Sequence, residues 1–160
     1  MKTGDVSGDN NIALGVSALD DLTSGTSNIA LGSGAALNLT TGGENVAIGH
    51  ESMTAGITTG NNNVAIGNSP GSNITAGTEN VFIGTSAGAS ATDNVDNIAI
   101  GQDAYKASAN DGDKNIAIGT GAMKTGDVSG ANNIAIGELS LDDITTGTNN
   151  VAIGSSAGLN

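Results

Sequence analysis

A five-residue apolar motif, Asn-[Ile/Val]-[Ala/Phe]-[Ile/Leu]-Gly, recurs along the whole chain and sets its hydrophobic pattern. Successive motifs are 17 or 18 residues apart. Such a regular spacing is typical of solenoids, in which each repeat forms one structural unit. The sequence therefore predicts a single repeat array over residues 1–160. The motif asparagines are Asn11, Asn28, Asn45, Asn63, Asn80, Asn97, Asn115, Asn133 and Asn150.

Within each motif, branched aliphatic residues or Leu alternate with one small residue. Aliphatic residues at a spacing of two predict a short β-strand that carries them on one face. The residue between them is Ala in eight copies and Phe82 in the ninth, so the other face is apolar too. Short strands that are apolar on both faces are typical of parallel sheets. We therefore predict an all-β fold, a parallel β-solenoid of about nine coils and about 40 Å long.

Glycine punctuates each repeat at two positions. One glycine follows every strand, and a second precedes the motif Asn by three residues in all copies but one, where Asn94 replaces it. Gly and Asn both tolerate positive φ, so both positions are predicted to be left-handed corners. An aliphatic residue before a Thr/Ser pair predicts a second, shorter extended segment. The structural corner residues predicted in this way include Asn45, Gly49, Asn80, Gly84, Asn115, Gly119, Gly60 and Gly147.

The small residues of the strands form a row of their own. A closed coil can bury only one strand face, so the row of small residues would remain as a flat apolar stripe. Small side chains allow identical chains to approach closely, and a homotrimer around this stripe is the favoured explanation. The predicted oligomer stripe consists of Ala13, Ala30, Ala47, Ala65, Phe82, Ala99, Ala117, Ala135 and Ala152.

Composition narrows the range of partners. Four basic residues stand against 16 acidic ones, which gives a net charge of −12. That balance argues against nucleic acid and anionic membranes as partners. No stretch resembles a membrane span, so we expect no membrane insertion by this segment. The chain contains no cysteine, which removes thiol and zinc-thiolate chemistry.

Candidate catalytic residues are scarce. His50 is the only histidine, and it follows a corner glycine where other repeats carry Ser, Thr, Asn, Gln, Glu or Val. An exposed corner residue explains it better than a catalytic triad does. The stretch GTGAMKT at 119–125 lacks the glycine before the lysine that a phosphate-binding loop needs. We therefore predict no catalytic, cofactor-binding or metal-binding residues, and a protein that is not an enzyme.

Two kinds of small ligand remain as less favoured alternatives. Asp20–Asp21 and Asp142–Asp143 occupy equivalent positions, but calcium-binding solenoids need an aspartate in every coil, and several coils here have none. The Thr-Thr-Gly stretches could stack into an ice-binding ladder, but several repeats replace the threonine. Two glycosylation sequons, at 38–40 and 73–75, are interpreted as chance.

The two ends of the chain repeat each other. MKTGDVSG at 1–8 recurs at 123–130, an offset of 122 residues or seven repeats. Neither end shows a capping element of the kind solenoids use to cover open strand edges. The sequence therefore predicts an excerpt of a longer array or, alternatively, an extracellular filament subunit that polymerises end to end.

The motif NVAIG, followed by small residues, resembles the head repeats of YadA-like trimeric autotransporter adhesins. The longer stretch TTGTNNVAIGSSA at 145–157 resembles repeat arrays of phage and bacterial tail-fibre proteins. This resemblance covers essentially the whole chain. It implies a left-handed β-roll, three chains around a fibre axis, and adhesion to a surface ligand. The period is about three residues longer than the typical head repeat.

These observations together predict a structural or adhesive fibre segment of a surface adhesin or phage tail fibre. The expected partners are other copies of the chain and an unidentified surface receptor. The expected location is extracellular, at a cell surface or on a virion.

Overall fold

The computed structural model describes residues 8–54, 59–107, 112–126 and 128–158. It contains one sheet of nine parallel strands, in which each strand pairs with the strand of the next repeat. The chain thus forms an all-β parallel β-solenoid of about eight turns, and the described ranges contain no helix. The strands are β1 Ile12–Leu14, β2 Ile29–Leu31, β3 Val46–Ile48, β4 Val64–Ile66, β5 Val81–Ile83, β6 Ile98–Ile100, β7 Ile116–Ile118, β8 Ile134–Ile136 and β9 Val151–Ile153.

Every strand lies in register with its neighbours, so equivalent motif positions stack directly on one another. Val46 pairs with Val64 across an 18-residue repeat, just as Ile29 pairs with Val46 across a 17-residue repeat. The additional residue therefore lies outside the strand. Parallel in-register stacking gives each motif position its own column along the rod.

Only one regular strand forms in each coil of the described chain, and the remainder consists of turns and bends. The second extended segment expected from the aliphatic-Thr/Ser pattern does not form a second sheet. Its backbone still bonds from coil to coil, since the Thr75 and Gly77 amides both donate to the Thr92 carbonyl, at 2.9 and 3.1 Å. Within the described ranges, isolated bridges occur only at Leu39 and between Thr78 and Val95.

The interior is thin and is filled from the side opposite the sheet. Larger side chains such as Leu19, Leu39, Met53 and Met123 project inward from the turns and are fully buried. They leave room for only a methyl group on the inner side of each strand. The middle residue of the strand is therefore Ala in eight of the nine coils.

Phe82 occupies the alanine position of β5 and shows how tightly the interior volume is conserved. Gly88 in the same coil and Gly71 in the preceding coil occupy a position where other coils carry larger residues such as Met53. A Cβ on Gly88 would lie 2.7 Å from the Phe82 ring, and one on Gly71 would lie 3.0 Å from it. The large and small residues thus exchange places across the core.

The glycine that follows each strand has two separate constraints. Its φ lies between +120° and +139° in all nine coils. A Cβ at Gly84 would also lie 2.7 Å from the carbonyl oxygen of Gly101 in the next coil. Gly49 and Gly119 have the same conformation, with φ of +120° and +131°. At these corners the glycine has positive φ, and its backbone packs directly against the equivalent glycine of the next coil.

The glycine three residues before the motif Asn is not a left-handed corner, which corrects the prediction for Gly60 and Gly147. Neither residue has positive φ. A Cβ at Gly60 would instead lie 2.1 Å from the carbonyl oxygen of Gly77, and one at Gly147 would lie 2.8 Å from the Asn150 amide nitrogen. The constraint at this position is close approach, and the left-handed residue is the one directly before the Asn, such as Glu44 at φ +59°.

Replacing Gly84 with Val should destabilise the fold by several kcal/mol, because a β-branched residue at this φ is strained and its Cβ collides with the next coil. Gly154→Val is the matched control, since Gly154 has a similar φ of +125° but a new Cβ there would lie 4.0 Å from its nearest neighbour, so that only the backbone strain remains. Gly60→Asn should be as damaging as Gly84→Val, for steric reasons alone. A mild effect of Gly60→Asn in thermal unfolding would contradict the close-approach explanation.

Phe82→Ala should cost about 3–5 kcal/mol of folding free energy, even though it installs the residue that the other coils carry. The reason is that Gly71 and Gly88 cannot refill the space left by the ring. Phe82→Leu should lose about half as much. Urea unfolding of the three proteins measures the difference, and a neutral Phe82→Ala would show that the coils collapse around the gap.

Candidate functional site

The predicted oligomer stripe is not on the surface. From Ala30 to Ala135 the row is completely buried inside the single chain, Phe82 included, while Ala152 is 8% exposed and Ala13 is partly buried. The assignment of this row to a partner chain is therefore wrong. The reason is that the motif Asn must point inward to reach its hydrogen-bond partners, and strand alternation then turns the alanine inward too.

The outward side of the sheet carries the large aliphatic residues instead. We call this surface the outer strand face, and it consists of two columns along the rod. The first column is Ile12, Ile29, Val46, Val64, Val81, Ile98, Ile116, Ile134 and Val151. The second column is Leu14, Leu31, Ile48, Ile66, Ile83, Ile100, Ile118, Ile136 and Ile153.

The outer strand face is uncharged in a strongly acidic protein. All of its positions are Ile, Val or Leu, although the chain contains 16 Asp and Glu residues. In the end coils the exposure is high, at 71% for Leu14 and 69% for Ile153. Most of the inner strands are half-buried because neighbouring coils cover their sides. A continuous apolar face of this kind is the chain's candidate interaction surface.

Two exposed columns, polar at every position except Val16, border the outer strand face. The leading edge is the left-handed residue before each motif Asn, and the trailing edge is the residue after each strand glycine; both are exposed in every coil. The leading edge is Asn10, Ser27, Glu44, Asn62, Glu79, Asp96, Lys114, Asn132 and Asn149. The trailing edge is Val16, Ser33, His50, Asn68, Thr85, Gln102, Thr120, Glu138 and Ser155.

The motif asparagines form a buried amide ladder behind the face. The Asn45 side-chain oxygen accepts the backbone amide of Asn63 at 2.9 Å and its side-chain amide at 3.2 Å. The Asn45 side-chain amide donates to the Asn28 side-chain oxygen at 3.1 Å and to the Gly60 carbonyl at 2.9 Å. One side chain thus bonds to four groups of the neighbouring coils, on three residues. No buried side-chain nitrogen or oxygen lacks a partner in the described part of the chain.

Tyr105 interrupts this ladder at one place. Its buried hydroxyl donates to the Gly112 carbonyl and accepts the side-chain amides of Asn115, at 3.2 Å, and Asn94, at 3.4 Å. The Asn97 side-chain amide keeps its bond to the Asn80 side-chain oxygen at 3.3 Å, but its second bond goes to the Val95 carbonyl at 3.2 Å. The phenol therefore takes the place of an asparagine amide between the sixth and seventh coils. Sequence reasoning missed this role, because Tyr105 stands where other coils carry Leu or Met.

The other chemical candidates remain separate from one another. His50 is exposed, and its Nδ1 lies 3.8 Å from a carboxylate oxygen of Glu51. Asp103 pairs with Lys106 at 2.8 Å and with Lys124 at 3.5 Å, and the hydrogen bond from Lys106 holds its pKa below the usual range. Across the described ranges, no three His, Cys, Asp or Glu side chains are grouped to hold a metal ion.

Several acidic, threonine and asparagine side chains bond to residues of the adjacent coil. A hydrogen bond with Asp96 raises the pKa of Glu79, since the two carboxyl groups stack on the leading edge. Thr23 and Thr75 donate their hydroxyls to backbone carbonyls of the next coil, at 3.0 and 3.3 Å. Asn38 of the first sequon donates its side-chain amide to the Thr54 carbonyl at 2.7 Å. These side chains therefore link neighbouring coils of the same chain.

Comparison with protein-family models, with curated proteins and with solved structures finds no match to this chain. Within the described residues there is also no helix of the length and hydropathy needed to cross a membrane. The outer strand face and its two edges are therefore the candidate functional site on the strength of their geometry.

Tyr105→Phe should destabilise more than Tyr105→Met, although Phe is the closer analogue. Phe keeps the ring in place but removes one hydrogen bond each from the Gly112 carbonyl and the Asn115 side-chain amide, at about 1 kcal/mol for each lost bond. Their other partners, the Asn94 side-chain amide and the Gly130 carbonyl, remain. Met is the residue of two equivalent coils, at Met53 and Met123, and it lets the Asn97 side-chain amide bond to the Gly112 carbonyl, as Asn45 bonds to the Gly60 carbonyl. Chemical unfolding of both variants compares them. If Tyr105→Met is the less stable, ring packing outweighs the hydrogen bonds.

Proposed function

We propose that this chain is a structural segment of an adhesive fibre, in which copies associate side by side through the outer strand face. The observation that carries the proposal is the double column of uncharged aliphatic side chains on an otherwise acidic rod. Exposed apolar faces of this length serve as interfaces in soluble proteins. The proposal replaces the alanine row with the outer strand face as the surface of contact.

The dimensions of the face support a stable assembly. With its two edges, the face is about 20 Å wide and about 40 Å long, and it offers roughly 800 Å² per chain, which is what a standard interface buries on each partner. A face of only two side chains per coil suits a narrow axial core shared by several rods. We therefore favour a homotrimer with the fibre axis along the stack.

The resemblance to trimeric autotransporter head repeats and tail-fibre arrays supports the same proposal. It adds a left-handed coil, an extracellular or virion location, and a surface receptor as the second partner; these points remain predictions. In such a fibre the turns opposite the sheet would face outward. Their acidic and hydroxyl side chains, for example Asp20, Asp142 and Thr23, would then be the groups that meet a receptor.

Substituting three outer-face residues, Ile48, Ile66 and Ile118, with Glu should abolish self-association and leave the fold intact. These side chains project outward, so the charges remain hydrated in the separated chain but would be desolvated in an interface, at several kcal/mol each. Sedimentation velocity measures the mass, and circular dichroism checks that the β signal is retained.

The matched control places the same charges one residue earlier in each strand. Ala47, Ala65 and Ala117 are fully buried, so their replacement by Glu should unfold the chain itself. A wild-type protein that sediments as a monomer would overturn the proposal. An assembly that survives the three outer-face substitutions would move the contact elsewhere, with axial end-to-end stacking as the alternative.

A further inference from the structure

The two edges of the outer strand face carry different charges, and this difference determines how neighbouring chains fit together. In a cyclic assembly of parallel rods, each chain contacts the next through unlike surfaces. The leading edge of one chain then lies beside the trailing edge of its neighbour. With closed rotational symmetry, each coil meets the equivalent coil of the neighbouring chain.

Only one coil has an ionisable residue on both edges. In the coil of β3, Glu44 stands on the leading edge and His50 on the trailing edge. Each is two residues from the nearer column of the face, Glu44 from Val46 and His50 from Ile48, and both are exposed. The two positions are thus symmetric about the strand. No coil places like charges on its two edges.

We propose that Glu44 of each chain pairs with His50 of the neighbouring chain, and that this contact sets the parallel, coil-for-coil register of the assembly. The inference rests on the proposed function and specifies which residues of the partner copy complete the interface. A carboxylate and an imidazole can pair through a hydrogen bond, and the bond strengthens when the imidazole is protonated.

An antiparallel pair of rods would bring different edge residues together. A two-fold axis across the rods would bring leading edge against leading edge, with the central coil of β5 facing its own copy. Glu79 of one chain would then meet Glu79 of the other, where Asp96 already lies close. The same axis would set Glu44 of one chain against Lys114 of the other, so the two orientations differ in which residues meet Glu44, and crosslinking decides between them.

Disulfide crosslinking tests the contact directly, because the chain has no cysteine of its own. Glu44→Cys and His50→Cys combined in one chain cannot bridge internally, since strand β3 separates the two positions by more than the roughly 7 Å limit between bridged Cα atoms. Oxidation should therefore give covalent dimers and closed trimers, and nothing larger.

Two control pairs define the orientation. Glu44→Cys with Thr85→Cys shifts the register by two coils, about 10 Å, and should not crosslink. Glu44→Cys with Lys114→Cys would crosslink only in an antiparallel pair, because β3 and β7 are equidistant from β5. Crosslinking of either control in place of the 44–50 pair would overturn the inference.

A charge exchange tests whether the contact contributes to affinity. Glu44→Lys should weaken association about tenfold, summed over the contacts of the assembly, and adding His50→Glu should restore it. Both new residues are compatible with the backbone, since Lys114 and Glu138 occupy the equivalent edge positions. Glu79→Lys is the control, as it faces uncharged Thr85, and it should change association little.

Different results would contradict the fibre proposal and the contact between Glu44 and His50. A monomeric wild type would overturn the fibre proposal together with this contact. An assembly that forms through the outer strand face but gives no 44–50 crosslink, or one that Glu44→Lys does not weaken, would overturn the contact alone.

Discussion

The hydrogen-bonded stack of asparagine side chains is the interaction on which the rest of the structure depends. An amide group has both donors and an acceptor, so one side chain can bond to the coil above and the coil below at the strand spacing. Asn45 does this with Asn28, Asn63 and the Gly60 carbonyl. Because these partners lie in the interior, the asparagine must point inward.

Strand alternation then determines the remaining positions of the motif. The residue after an inward asparagine points outward, the next points inward, and the third points outward again. Ala47 is therefore buried, while Val46 and Ile48 lie on the outside. The inward orientation of the motif asparagine therefore places the larger apolar residues on the outside, although large apolar side chains are usually buried.

The repeat, the parallel strands and the glycine after each strand could be predicted from the sequence, because spacing and composition encode them directly. The inward side of the strand could not, since Ala47 and Ile48 are both apolar and hydrophobicity alone does not distinguish their faces. Burial of the asparagine was the missing signal. The prediction for Gly60 was wrong for a related reason. Asn94 in the equivalent place indicated positive φ, whereas glycine is needed at position 60 because the Gly77 carbonyl lies close to it.

The equivalence of the coils has a consequence for how such a gene can change. Because 17- and 18-residue repeats bring Val46, Val64 and Val81 into the same register, a coil of either length can follow another without shifting the register of the strands. Unequal recombination between near-identical stretches, such as 1–8 and 123–130, would add or delete seven whole coils at once. The length of the rod is thus a heritable quantity that can vary between lineages while its cross-section stays constant.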